Sequence, residues 1–214
     1  MAIDALQPDY KIWESFQTSE APAALDRDAT AGVQSVHVMV NDPREIDAIF
    51  DSAIVYAKGA RLLVMVRSLV GDQALRKGLK AYFESHQYSN AAGKDLWQAL
   101  GEASHLNIGE IMENWLDCPG YPVLSVSLDH DKLLLNQEQF CIGEKEDRQT
   151  LWNIPLNSNY DEVPQLMEGQ SLTLPNYQAM CQANGKAFRL NHSNSAHYIA
   201  VSYTHLTLPT TPYV

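Results

Sequence analysis

The stretch from Phe50 to Gly71, FDSAIVYAKGARLLVMVRSLVG, decides how this chain folds, because it is the longest apolar segment of the 214 residues and carries polar groups in unexpected places. Asp51 or Ser52 can accept hydrogen bonds from the first free backbone N–H groups of a helix, and Gly71 stands where a left-handed C-terminal cap is wanted. One helix is predicted between them. Ile54, Val55, Leu62, Leu63, Val64, Met65, Val66, Leu69 and Val70 point in nearly every direction around its axis, which predicts a buried central helix rather than one lying on a surface.

Tyr56 falls in the first turn of that helix, followed by Lys58 and Gly59. A phenol keeps its proton at neutral pH and can donate a hydrogen bond to a developing oxyanion without being consumed. From the residues alone a second reading stands beside this one: a packed aromatic ring whose hydroxyl is tied to a backbone carbonyl.

On the N-terminal side, Ile3, Leu6, Ile12, Trp13 and Phe16 fit two short helical pieces separated at Pro8. Residues 18–34 are polar and alanine-rich, and Asp26, Arg27 and Asp28 read as a solvated helical face with no chemistry of its own. Asn41-Asp42-Pro43-Arg44-Glu45 reads as a helix start, with Asp42 as N-cap and Pro43 at the first helical position. Ile46, Ile49 and Phe50 are then expected to point inward.

On the C-terminal side, Asp72 can cap a further helix whose apolar face is Leu75, Leu79, Tyr82 and Phe83, with His86 at its end. Another helix starts at Lys94 or Asp95 and carries Leu96, Trp97, Leu100 and Ala103. Asn107 introduces a third, with Ile108, Ile111, Met112, Trp115 and Leu116 at helical spacing. Pro119-Gly120-Tyr121-Pro122 ends this pattern, and the period changes to two: Leu124, Val126 and Leu128 alternate with Ser125, Ser127 and Asp129. Strand-like runs follow at 133–142, 150–156, 171–174, 187–191 and 197–201, the pattern of a small all-β sandwich. The fold class read here is α+β, with a boundary between residues 119 and 120.

Composition narrows the function. A formal net charge of −11 and a pI near 4.9 disfavour nucleic acid and anionic membrane as partners. Lys58, Arg61 and Arg67 interrupt the central helix, so it is not a membrane span, and residues 1–16 lack the basic flank and apolar run of a secretory signal. A cytoplasmic location is expected. Cys118, Cys141 and Cys181 show no Cys-x-x-Cys spacing and are expected to be free thiols. There is no nucleophile signature and no phosphate-cradling glycine loop.

Residues 33–66, VQSVHVMVNDPREIDAIFDSAIVYAKGARLLVMV, resemble the zinc aminopeptidases of the aminopeptidase N (alanyl aminopeptidase) family, in the part of the catalytic domain that follows the metal site. The likeness rests on hydrophobic-x-Tyr-x-Lys-Gly-Ala around Tyr56, on Ser35 and His37 before Pro43, Glu45 and Ile46, and on residues 78–100 and 112–126. Among bacteria the lactic-acid type is most similar. The resemblance implies that Tyr56 is the catalytic tyrosine assisting the tetrahedral intermediate. His37, on the approach to that tyrosine, is left with two readings, a structural turn or direct involvement.

The resemblance further implies that residues 1–119 form the helical C-terminal part of a thermolysin-like catalytic domain and residues 120–200 a β-sandwich domain. His192 and His197 are expected to be loop and strand residues rather than ligands. Residues 201–214 leave the family pattern and are expected to be a non-native tail similar to translated adapter sequence.

A zinc peptidase of this family needs H-E-x-x-H on one helix and a later glutamate ligand, and the sequence contains no H-E-x-x-H. The chain is therefore expected to be a fragment beginning just after the metal site, with zinc as the family's cofactor and its ligands absent from these residues. Implied for the complete protein are peptide substrates, a metalloaminopeptidase activity and a monomeric state. For the chain alone, the sequence favours an inactive piece, and the alternative reading is a noncatalytic helical-plus-β scaffold or binding module.

Overall fold

A computed structural model describes residues 2–143 and 150–202. Helices α1 (Ala2–Leu6), α2 (Ile12–Thr18) and α3 (Glu20–Asp28) come first, with a 3₁₀ turn at Pro8–Tyr10 where proline divides the first two as expected. At Pro43–Glu45 the Asp42 side chain accepts from Arg44 N at 2.9 Å, the predicted cap, and a single turn α4 (Ile46–Ile49) follows. Ile46 and Phe50 do not point inward: both are exposed, because a four-residue helix is too short to present an apolar stripe to a neighbour.

The predicted central helix is in fact two structures joined end to end. Ala53–Lys58 is a π-helical turn, and α5 runs from Gly59 to His86. Gly71 takes φ +79°, ψ +160°, so its left-handed φ matches the expected cap while the helix resumes directly beyond it as a kink. Asp72 does not cap that second part. Its carboxylate pairs with Arg67 Nε at 2.6 Å.

Ile54, Ala57, Lys58, Arg61, Leu62, Met65, Val66 and Leu69 are buried, a stripe at spacings of three and four. Leu63 is exposed, so the helix is not enclosed on every side. Phe83 is also exposed, at 64%, because successive helical residues diverge by about 100° and only Tyr82 leans inward.

Helices α6 (Gly93–Ser104) and α7 (Ile108–Asp117) follow where expected, α7 with Asn107 accepting from Glu110 N and with Ile108, Ile111, Met112 and Trp115 buried. Beyond Gly120 come β1 (Tyr121–Asp129) and β2 (Lys132–Phe140), paired antiparallel with Val126 opposite Leu135 and Leu128 opposite Leu133. With β5 (Ser171–Pro175) and β6 (Ile199–Ser202) they form a four-stranded sheet of order β5-β2-β1-β6, in which β6 runs parallel to β1. A two-stranded sheet joins β3 (Ile154–Pro155) to β4 (Leu166–Met167).

The strand-rich region is not all-β. Helix α8 (Tyr177–Asn184) lies between β5 and β6, and residues 187–191 form no strand. Tyr177, Met180 and Cys181 face the core from α8 at helical spacing, so a short apolar stripe overrides the surrounding strand pattern. Val201 and Ser202, assigned above to the tail, belong to β6 and pair with Ser125 and Val126. The rest of the expected tail, 203–214, lies outside the described residues.

One hydrophobic cluster runs from Leu62, Met65 and Trp115 to Leu124, Leu135, Trp152 and Tyr198. Trp115 joins the two regions: its ring lies 5.8 Å from that of Trp152, and its Nε1–H donates to Asn153 O at 2.9 Å. Gln137, buried in β2, is satisfied by Trp152 and Gly169 backbone atoms at 2.8–3.0 Å. Among the described residues no helix is long and apolar enough to cross a membrane.

Candidate functional site

Tyr56 lies on the outer side of the π-helical turn, 63% exposed, with its ring edge-on to Phe50 at 5.7 Å. No hydrogen bond ties its hydroxyl to another described residue. The packed, carbonyl-tied tyrosine considered from sequence is therefore not what the structure contains. π-Helical turns are uncommon and concentrate at functional sites, since the inserted residue widens one turn and re-aims a side chain.

The turn starts at Asp51, whose Oδ1 accepts from Ala53 N at 3.1 Å and whose carbonyl accepts from Ile54 N at 3.1 Å and Val55 N at 2.8 Å. It ends at Lys58, and here the structure departs most from the sequence reading. The Lys58 and Asp28 side chains are both 0% exposed and 2.8 Å apart. Lys58 Nζ also donates to Gly120 O at 3.1 Å, while Asp28 Oδ1 accepts from Gly120 N at 2.8 Å. Gly120 has φ +87°, a conformation L side chains rarely adopt, and this lets both faces of one loop residue meet the pair. Asp28 is thus no part of a solvated face.

Asp28 Oδ2 accepts in addition from His197 Nε2 at 2.9 Å, in a bend just before β6. His197 is wholly buried between the rings of Trp115 and Tyr121. Because a carboxylate only accepts, Nε2 carries the proton of the neutral ring, and Nδ1 presents a lone pair with no partner among the described residues. One turn beyond Lys58, buried Arg61 donates to Ala196 O at 2.8 Å and Asn194 Oδ1 at 2.9 Å, with no carboxylate paired to it among the described residues.

Burial governs the electrostatics of this cluster. It lowers the Lys58 ammonium pKa despite the opposing charge of Asp28, and it lowers Arg61 to about 10. Burial works against the Asp28 carboxylate, yet the His197 hydrogen bond and the Lys58 charge hold it below the usual carboxylate range. His197 is pushed down to about 4, first by burial and then by the cations Lys58 and Arg61, against the pull of Asp28.

A base whose folded pKa lies below its unfolded value of 6.5 stabilises the fold fully above that pH and loses the contribution as pH falls toward 4. Unfolding free energy should therefore fall by about 3 kcal/mol over that window on account of His197. His197→Gln, which keeps a donor for Asp28, should remove that part of the drop in urea unfolding run across pH. A variant with the parent's pH profile would show that His197 takes up its proton without cost in the fold.

The structure places His37 away from this cluster. Its Nδ1 is 2.8 Å from Asp117 Oδ1 at the end of α7, and its backbone N–H donates to Leu116 O at 2.9 Å. No contact brings it to Tyr56. His192 is exposed, and the three cysteines are free thiols.

Among the described residues no group of three or more His, Cys, Asp or Glu side chains could hold a metal ion. The His–carboxylate pairs His37–Asp117, His86–Asp95, His130–Asp129 and His197–Asp28 stand apart, and the last is already engaged by Lys58. These residues do not fit a zinc site.

The sequence reading names Asp28, Lys58, Arg61 and His197 but assigns none of them to a site: Asp28 is placed on a solvated face and His197 in a loop or strand. A signal existed for three of them. Lys58 and Arg61 fall on the buried stripe with Leu62, Met65 and Leu69, and Asp28 falls on the stripe of Ala21 and Ala24 in α3. Charges inside a buried stripe require partners.

The family model described as the peptidase family M1 domain matches residues 1–115. The chain is 59% identical over 199 residues to aminopeptidase N of Lactobacillus delbrueckii subsp. lactis, covering 93% of this chain and 24% of that protein. It is 54% identical over 200 residues to aminopeptidase N of Lactobacillus helveticus, with the same coverage. Leucyl aminopeptidase of Saccharolobus solfataricus is 31% identical over 210 residues, 97% of this chain and 26% of that protein. The chain thus spans about a quarter of the length of the curated relatives it matches.

Proposed function

The chain belongs to peptidase family M1, and from that premise we propose that it forms part of a zinc-dependent aminopeptidase that removes N-terminal residues from peptides, with Tyr56 donating its phenolic proton to the oxyanion of the tetrahedral intermediate. The observation that carries this reading is the state of Tyr56: an exposed phenol whose hydroxyl has no partner among the described residues, on a π-helical turn held at both ends. Zinc would supply the Lewis acid for water attack in the complete protein. The residues of this chain do not fit it, so nothing in their own chemistry is routed through it. Their part is to hold the tyrosine, bind the developing negative charge and orient the turn.

Within this proposal residues 1–119 are the helical end of a thermolysin-like catalytic domain and residues 120–200 a domain of its own. The complete enzyme is cytoplasmic and monomeric. The absence of a metal-holding group among the described residues favours a second statement, about the chain by itself: it is a noncatalytic helical-plus-β scaffold. The 214-residue chain, supplied with zinc, is expected to release no amino acid from an N-terminal alanyl or leucyl peptide. Zinc-dependent hydrolysis by the purified chain, inhibited by a chelator, would overturn that statement.

The test of the main reading is Tyr56→Phe in the full-length enzyme carrying this chain, with kcat and KM measured separately.

A further inference from the structure

We infer that helix α3 is a splint for the π-helical turn, and that its consecutive residues Arg27 and Asp28 are positioning residues for Tyr56, one holding each end of the turn. This rests on the reading of Tyr56 as the oxyanion donor.

At the start of the turn, Arg27 Nε donates to Asp51 Oδ2 at 2.5 Å, and the other oxygen of that carboxylate accepts from Ala53 N. At its end, Asp28 Oδ2 accepts from Lys58 Nζ at 2.8 Å. The turn between these clamps is Ala53–Lys58, with Tyr56 inside it, and α3 packs along it. The inner clamp is itself fixed from outside α3, because Gly120 donates to Asp28 and accepts from Lys58, and His197 donates to Asp28.

A π-helical turn is less favourable than the α-helix that the same residues could form, so it persists where tertiary contacts fix its ends. Two neighbouring residues on one rigid helix hold the span between Asp51 and Lys58 at a set length. Reverting to α-helical winding would change that span and break one clamp or the other. The direction of the Tyr56 side chain follows from the winding, since a one-residue change in register rotates a helical side chain by about 100°. The clamps reach Tyr56 through the backbone and touch no substrate.

The test is a double-mutant cycle in the full-length enzyme carrying this chain. Arg27→Gln opens the outer clamp at a partly exposed position. Asp28→Asn with Lys58→Met opens the inner clamp without leaving either member of the pair charged and unpartnered, and the asparagine oxygen can still accept from Gly120 N. Each is made alone and together with Tyr56→Phe.

Each clamp variant should lower kcat about ten- to a hundredfold with KM within about twofold, and should lower it no further in the Tyr56→Phe background. Hydrogen exchange at the amides of residues 54–59 should quicken in both. An equal fall in kcat with and without the Tyr56 hydroxyl would make the clamps structural only, and an unchanged kcat would make them irrelevant to the turn; either overturns the inference. If Tyr56→Phe by itself leaves kcat unchanged, it is the oxyanion reading that falls. Should the inner-clamp pair not fold, Arg27→Gln carries the same outcomes alone.

Discussion

Replacing Tyr56 by phenylalanine in the full-length enzyme carrying this chain should lower kcat about 10²–10³-fold, with KM changed little, because the hydroxyl's hydrogen bond is made to charge that exists only at the transition state. The substitution is clean. The ring keeps its edge-on packing against Phe50 at 5.7 Å, and the lost hydroxyl has no partner among the described residues, so no internal hydrogen bond is broken. Unfolding free energy should stay within about 0.5 kcal/mol of the parent's, as for surface changes away from any network. Steady-state kinetics on a peptide with a free N-terminus, beside a urea unfolding curve, would separate the two effects. Turnover within twofold of the parent would remove Tyr56 from the chemistry.

Asp28→Ala should cost about 3–5 kcal/mol of folding free energy, more than any surface ion pair in the chain can supply. Three donors lose the carboxylate at once: Lys58 Nζ at 2.8 Å, left with only Gly120 O, His197 Nε2 at 2.9 Å and Gly120 N at 2.8 Å. The ammonium then remains buried without a counter-charge. Pairing Asp28→Asn with Lys58→Met should restore most of the loss, since removing both charges leaves none uncompensated. Arg27→Gln, at the exposed outer clamp, should cost about 0–1 kcal/mol. Urea unfolding of the chain measures all three. A loss near that of Arg27→Gln for Asp28→Ala would mean that the site fills with water and that the pair does not hold the three segments together.

These two expectations also mark how far the sequence could be read. The Asp42 cap, the Pro8 division and the switch from helix to strand at residues 119–122 are local signals, and each appears in the structure where the pattern puts it. So does the left-handed φ of Gly71. The apolar helix around Tyr56 appears too, but begins as a π-helical turn and leaves Leu63 exposed. What local pattern missed has specific causes. The π-helical turn differs from an α-helix by one inserted residue, which changes no periodicity over so short a span. Helix α8 is eight residues with three buried positions, too brief to stand out from flanking strand runs. Hydrophobicity alone points Phe50 and Phe83 inward, but both are exposed, because a residue's direction depends on its neighbours' positions as much as on its own side chain.

The family resemblance, the α+β class and the identity of the candidate donor were determined by the sequence itself, because helix propensity, alternation and a short motif are properties of adjacent residues. Only the tertiary structure decided that Asp28, Lys58, Gly120 and His197 form one buried site at the end of the π-helical turn that carries Tyr56. These residues lie up to 169 positions apart. Each is unremarkable in its own segment, and the cost of burying a charge selects its partner in space, with no trace in the spacing along the chain.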